Sequence, residues 1–265
     1  MRILSATEPG TAGRPNEDFA ATTAGSSGQG GALVVLDGVT PPQGDYGCLH
    51  GVPWFAARLG GSLLGLAAAQ GGPPLRECLA TAVLRTADAH RDTCDLSHAR
   101  TPQATVAVAR WDAGTVECLV LSDAVLLLGL SDGTVRTVLD TRLDDLRPAH
   151  RGLPAGERAA RLESLRNHED GFFTAAADPS VASRAVTGTL PREAVTGLAA
   201  LTDGAGRWVD VFGFGDWAAL YGLLSREGPE AVIGEVRAAE AADPAGTAFP
   251  RGKCHDDATV VLARP

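Results

Sequence analysis

Four short apolar runs follow one another between residues 105 and 139, with gaps too small for a crossover. The runs are Thr105–Trp111, Val116–Leu121, Val125–Leu130 and Val135–Leu139. Joining parallel neighbours takes a connection of roughly a dozen or more residues, usually a helix. Here Asp112-Ala-Gly114 joins the first two runs, and Asp132-Gly133 joins the last two as a type I′ hairpin turn. The spacing predicts an antiparallel meander and argues against a doubly wound parallel sheet.

Further strands flank this block. Met1–Gly10 reads as a strand, since it lacks the apolar run of a signal peptide. Asp18–Thr23 and the continuous apolar stretch Ala32–Leu36 follow, joined by a flexible turn over Gly25–Gly31. An unbroken apolar strand of this kind is covered on both faces. Phe172–Ala177, Gly197–Thr202 and Ala258–Ala263 also read as strands. Helices are expected over Pro53–Gln70 and Pro74–His90, each with proline in its first turn, and over Gly156–Asn167, which is charged and mostly exposed. Two more are expected over Asp216–Leu224 and Glu230–Ala242, and Val39–Gly51 is irregular. Strand-rich blocks with helices between them imply sheets packed together under helix layers. No repeat or long linker divides the 265 residues, so 1–265 reads as a single domain.

Charge and cysteine content narrow the function. Acidic residues outnumber basic ones 32 to 23, for a net charge of −9. Nucleic acid needs a basic surface, and anionic membranes need a polybasic patch, so neither is an expected partner. No stretch approaches the roughly 18 apolar residues of a membrane-spanning helix. Cys48, Cys78, Cys94, Cys118 and Cys254 are odd in number and include no close-spaced pair. That disfavours a disulfide framework and a zinc knuckle, and fits thiols in a reducing cytoplasm.

Carboxylates fall at strand ends. Asp37 ends Ala32–Leu36 and precedes Gly38; Asp203 ends Leu198–Thr202 and precedes Gly204. Asp123 sits between two strands, Asp256 and Asp257 precede the closing strand, and Glu17 and Asp18 open another. A carboxylate beside a buried strand is costly unless paired or bound to a cation. Several converging would make an oxygen site for Mg²⁺ or Mn²⁺, and glycine after the aspartate lets backbone approach closely. Asp-Gly is also a common turn dipeptide, and Ser131-Asp-Gly133 is read as just that. The joint occurrence and order of the others carry the case.

That order resembles the type 2C metal-dependent serine/threonine protein phosphatases. Arg14-Pro-Asn-Glu-Asp18, Val35-Leu-Asp-Gly38, Pro102-Gln-Ala-Thr-Val106, Leu121-Ser-Asp-Ala124, Leu201-Thr-Asp-Gly204 and Asp256-Asp-Ala-Thr-Val-Val261 stand in the family's sequence of motifs. The resemblance spans residues 14 to 261. It implies an α+β fold, a four-layer α-β-β-α sandwich of two mainly antiparallel sheets covered by helices. It implies hydrolysis of phosphoserine and phosphothreonine in protein substrates by a water bridging two divalent ions. Asp37 would bridge those ions with the Gly38 carbonyl on one, while Asp203 and Asp256 complete the other. Glu17 and Asp18 would be catalytic, holding metal-bound water, Asp123 would serve a third, weaker ion, and Arg14 would bind the phosphate.

Departures from the family pattern keep alternatives open. Asp37-Gly-Val-Thr-Pro-Pro-Gln43 lacks the family's glycines and histidine, so the general acid is unassigned. His50 is a candidate, although a loop histidine contacting backbone or solvent is the plainer reading. Cys48-Leu-His50 alone is too sparse for a zinc site. Arg251-Gly-Lys-Cys-His255 either offsets the carboxylates or is a solvated loop, and Trp208, Phe212, Phe214 and Trp217 are expected in the core ahead of a substrate groove. The altered loop leaves two rivals to a protein phosphatase: a phosphohydrolase for small phosphoesters, and a pseudophosphatase that binds a partner. Oligomeric state is not legible.

Overall fold

Alternate residues of the strand Gly31–Leu36 enter different cores: Leu33 and Val35 one, Ala32, Val34 and Leu36 another. Apolar runs without polar alternation therefore become inner strands of a sandwich. The computed structural model describes residues 2–25, 30–41, 44, 46–150 and 152–264. Among these the chain forms ten strands and seven α-helices. In order they are β1 (Arg2–Glu8), β2 (Phe19–Ala24), β3 (Gly31–Leu36), α1 (Val52–Ala67), α2 (Leu75–Asp88), β4 (Val106–Trp111), β5 (Thr115–Leu121), β6 (Val125–Leu130) and β7 (Val135–Val138). Then come α3 (Arg142–Leu146), α4 (Ala155–Leu165), β8 (Val186–Pro191), β9 (Val195–Leu201), α5 (Asp203–Asp210), α6 (Trp217–Glu227), α7 (Pro229–Ala242) and β10 (Ala258–Arg264).

Two antiparallel five-stranded sheets result, ordered β1-β10-β9-β6-β7 and β2-β3-β4-β5-β8. Leu33, Val35, Val120, Leu126, Leu128, Leu198 and Val261 fill the space between them. Outside the second sheet, Phe55, Leu59 and Leu63 of α1 and Leu79 and Val83 of α2 pack on Val34, Leu36, Leu119 and Leu121. Outside the first, Trp208, Leu220, Leu224, Val232 and Ile233 pack on Leu127, Leu201, Val260 and Leu262. Three cores in series make the expected α-β-β-α layers.

The expected meander is split. β4 and β5 pair in one sheet, β6 and β7 in the other, and β5 does not pair with β6. The chain changes sheets at Ser122, which takes φ 66° and donates its backbone N–H to Asp140 Oδ2 at 2.9 Å. Apolar alternation cannot foresee this, because an inner strand looks the same in either sheet. Phe172–Ala177 is not a strand. It makes only isolated bridges, to Arg166 and Ala104, and is held by side chains, Thr174 N donating to Asn167 Oδ1 at 2.9 Å. β8 and α5 carried no expectation: β8 is a half-exposed edge strand of mixed polarity, and α5 opens on Asp-Gly-Ala-Gly, a poor helix start by propensity.

Gly25 N donates to Gly30 O at 2.7 Å across the expected turn, whose residues 26–29 lie outside the described set, as do Met1 and, in the 39–51 stretch, Pro42, Gln43 and Asp45. Among the described residues no helix is long and apolar enough to cross a membrane.

Candidate active site

Strand register brings the carboxylates to one edge of each sheet. Phe19 pairs with Leu36, which sets Asp18 beside Asp37. Leu201 pairs with Val260 and with Val125, which sets Asp203, Asp256, Asp257 and Asp123 at the matching edge of the other sheet. A cross-sheet hydrogen bond joins the two groups: Thr202 Oγ1 donates to Asp18 Oδ2 at 2.9 Å, and Thr202 Oγ1 in turn accepts from Thr259 N at 2.9 Å.

These carboxyls feel one another. Burial pushes Asp18 up to about 8, against the lowering bonds from Thr259 and Thr202, with the charges of Asp203 and Asp257 adding to the rise. Burial, then Asp256 and Asp123, raise Asp203 to about 7 against Arg207 and Lys253. Asp37 is held well above the usual carboxylate range by burial, then by Asp203, Asp18, Asp256 and Asp123. Glu17 is raised by burial while its bond from Thr40 opposes the shift. Asp18 Oδ1 is buried without a hydrogen-bond partner among the described residues. Crowded, partly desolvated oxygen acceptors with an orphan oxygen fit a hard divalent cation. Among the described residues no three carboxylates bring oxygens within 4.8 Å of one another.

Neighbouring residues fix the loops that carry the set. Asp257 accepts from Gly10 N at 2.7 Å and Glu17 N at 2.6 Å, tying the β1–β2 connection to the start of β10. Asp18 N donates to Asn16 Oδ1 at 2.9 Å. Asp37 is held by its partner Thr105, whose N–H donates to Asp37 O at 2.9 Å. The glycines after Asp37 and Asp203 are there for room: a Cβ on Gly38 would stand 2.5 Å from Glu17 O, and one on Gly204 1.9 Å from Asp257 O. Gly133, in the hairpin, meets nothing within 4 Å and sits at φ +85° as a turn glycine should, but the turn is not the expected type I′: Asp132 does not take positive φ, and Gly133 N donates to Leu130 O at 3.1 Å, centring the turn on Ser131-Asp132.

Asp256 is already paired. Its Oδ1 accepts from Lys253 Nζ at 2.7 Å, and its Oδ2 from Arg207 Nη2 at 3.0 Å. Arg207 is buried and also donates to Glu240 Oε1 at 2.6 Å; Glu240, fully buried, also binds Arg237 at 2.7 Å and His255 Nδ1 at 2.7 Å. The 251–255 loop is thus ordered by ion pairs, and its lysine offsets the carboxylates. Asp123 lies 3.4 Å from Arg147 Nη2. Asp210, raised to about 6 by burial and then by Asp144, lies in the same electrostatic group. Arg14 is exposed on the β1–β2 connection, its guanidinium without a partner among the described residues.

His50 does not bond to the carboxylates. It stacks on Trp54 with ring centroids 4.0 Å apart, and its Nδ1 faces the sulfurs of Cys48 and Cys94. Trp208 and Phe212 belong to the helix-side core, and Trp208 Nε1 donates to Glu235 at 2.6 Å, while Phe214 is exposed. Sequence reasoning passed over Thr202, Thr259 and Arg207 altogether. The two threonines stand inside quoted motifs, and only pairing of β9 with β10 makes them neighbours.

No family model and no curated sequence matches the chain. Solved structures do. The serine/threonine phosphatase Stp1 from Staphylococcus aureus superposes with a TM-score of 0.63 at 13% identity, over 99% of this chain and 94% of that one. The serine/threonine phosphatase of S. agalactiae gives 0.62 at 13% identity, over 100% and 99%. Serine-threonine phosphatase 2C from Toxoplasma gondii gives 0.62 at 13% identity, over 99% and 94%. The chain therefore has the fold of these phosphatases from end to end.

Proposed function

We propose that the chain is a Mg²⁺- or Mn²⁺-dependent phosphatase acting on phosphoserine and phosphothreonine in proteins. The observation that carries this reading is the shared buried environment of Asp18, Asp37 and Asp203, with an unpartnered buried oxygen on Asp18, at one edge of a sandwich whose likenesses are serine/threonine phosphatases.

Asp37 with the Gly38 carbonyl, Asp203 and Asp256 would hold two ions, and Asp123 a third. Bound there, the ions would acidify a water and offset charge on the phosphoryl oxygens. The chain's own residues do the positioning. Thr202 turns Asp18 so that Oδ2 is occupied and Oδ1 is left for a water. Asp257 fixes the backbone of Glu17, and the Glu240–Arg207 pair fixes Asp256. Arg14, its guanidinium unpartnered among the described residues, offers a planar fork suited to a phosphate dianion, on a protein whose net charge would otherwise repel it. The free thiols fit a cytoplasmic protein.

Mn²⁺-stimulated hydrolysis of a phosphothreonine peptide, with Asp37→Asn and Asp203→Asn alongside, tests the assignment; equal rates in all three would sink it. A panel of metabolite phosphates run in parallel separates protein from small-molecule substrates. The ion pairs on Asp256 favour one rival, a partner-binding module without catalysis. Calorimetric Mn²⁺ titration decides between them, since no binding at millimolar ion leaves only that module.

A further inference from the structure

Three soft donors meet outside the carboxylate cluster. His50 Nδ1 lies 3.8 Å from Cys48 Sγ and 3.4 Å from Cys94 Sγ. All three donor atoms lie within 4.8 Å of one another, and they are the only such group of histidine, cysteine or acidic ligands among the described residues. Cys78 and Cys118 are buried and Cys254 is exposed, none of them in this group.

The distances match a tetrahedral ion. Metal–sulfur bonds of about 2.3 Å and metal–nitrogen bonds of about 2.0–2.1 Å place sulfur and nitrogen ligands roughly 3.6 Å apart. The observed 3.8 and 3.4 Å bracket that value. Hydrogen bonds also link the group, Cys48 to Cys94 and Cys94 to His50. A ring nitrogen has one in-plane hydrogen or lone pair, so it cannot bond two sulfurs well at once. A cation between them serves all three.

The surroundings hold the donors in place. Trp54 stacks on the His50 ring at 4.0 Å and 24°. Backbone N–H groups already point at both sulfurs: Leu49 N donates to Cys94 Sγ at 3.3 Å, and His50 N to Cys48 Sγ at 3.4 Å. Asp95 N donates to Gly47 O at 2.7 Å and locks the two chain segments together. His90 stands in the same aromatic group, its ring centroid 5.8 Å from that of His50. Its Nδ1 donates to the Thr86 carbonyl at 2.7 Å, which fixes that ring beside His50. Such outer-shell bonds orient ligands and set their tautomers.

We propose that Cys48, His50 and Cys94 bind Zn²⁺, with a water in the fourth position. Two thiolates and an imidazole select a soft or borderline ion over Mg²⁺ or Mn²⁺, so this centre is chemically distinct from the carboxylates. Both thiols bind as thiolates and release their protons to solvent. The ion joins Cys48 and His50, ahead of α1, to Cys94 in the segment that follows α2.

The test uses the full chain, reduced and handled without oxygen. Co²⁺ is added, and the thiolate-to-Co²⁺ charge-transfer band is recorded before and after Zn²⁺ is titrated in. We expect one strongly bound ion with that band, displaced by Zn²⁺ and retained in Asp37→Asn. Cys48→Ser and Cys94→Ser, each keeping one thiolate, should lower the band and weaken Zn²⁺ binding by about 100-fold or more in chelator competition. Cys94→His, which keeps a ligand, should retain Zn²⁺ with an altered Co²⁺ spectrum. The wild-type spectrum stands even if a serine variant fails to fold. A wild-type protein that shows no thiolate band, a band undiminished in folded Cys48→Ser, or a Cys48–Cys94 disulfide in the reduced preparation overturns the proposal.

Discussion

Lys253 Nζ lies 2.7 Å from Asp256 Oδ1, so the chain's only lysine occupies one oxygen of a candidate metal ligand. The same ammonium donates to Thr40 Oγ1 at 3.0 Å. It places positive charge where a divalent ion would draw on the same oxygen. Replacing it with Met should therefore tighten Mn²⁺ binding by about 1 kcal/mol, roughly five-fold, since a half-exposed pair contributes little more than that. Calorimetric titration checks this; unchanged or weaker binding removes Lys253 from the role of competitor.

The crowded carboxyls predict an unusual pH dependence in chelator-treated protein. Asp18 and Asp203 are raised from 3.8 to about 8 and about 7. Between those limits the folded state holds protons that the unfolded chain has released, so stability falls as pH rises from 4 toward 8. Thermal melts should give a higher midpoint at pH 5 than at pH 8, with Mn²⁺ restoring most of the difference at pH 8. A midpoint that rises with pH in the absence of metal contradicts the burial argument.

Asp203→Asn separates stability from function. Removing one of several mutually repelling charges should stabilise the metal-free protein by on the order of 1 kcal/mol. The same change should abolish Mn²⁺-stimulated hydrolysis. Denaturant unfolding without metal supplies the first readout and phosphopeptide turnover the second. Destabilisation of the metal-free variant would mean that Asp203 is held by favourable partners instead.

Glu240 holds Arg207, Arg237 and His255 while fully buried. Glu240→Ala leaves the buried Arg207 guanidinium without its strongest partner, which costs about 3–5 kcal/mol. Urea denaturation measures the loss. A variant within 1 kcal/mol of wild type would show that the arginines find new partners.

Two glycines in identical Asp-Gly pairs should respond differently to alanine. At Gly204 the added methyl meets Asp257 O at 1.9 Å, so Gly204→Ala must displace the start of β10 and should lower both stability and Mn²⁺ affinity. At Gly133 the methyl meets nothing within 4 Å but φ is +85°, so Gly133→Ala should cost about 1 kcal/mol and leave activity intact. Equal effects at the two positions would refute the distinction between packing and turn geometry.

Much of the architecture is legible along the chain. Ala32–Leu36 and Ala258–Ala263 announce inner strands because every residue except Thr259 is apolar, and such a strand needs cover on both faces. The helices over 52–67 and 75–88 follow from apolar residues repeating on one face. The order of the aspartate motifs also stands in the sequence, and strand register then brings those aspartates to one edge of each sheet.

Contacts distant in sequence are another matter. The sheet change at Ser122 was hidden because β5 and β6 carry the same apolar pattern whichever sheet they join. Lys253 on Asp256, Arg207 on Glu240, and Thr202 between Asp18 and Thr259 depend on loops meeting after the sheets have formed. Cys94 lies 44 residues beyond His50, so spacing alone left Cys48-Leu-His50 too sparse to bind an ion. What the sequence by itself determined is the layer plan and the carboxylate ends of the strands, because burial and periodicity are local properties. What only the tertiary structure decided is which charges and sulfurs become neighbours, because that follows from how the strands pair and where the loops between them return.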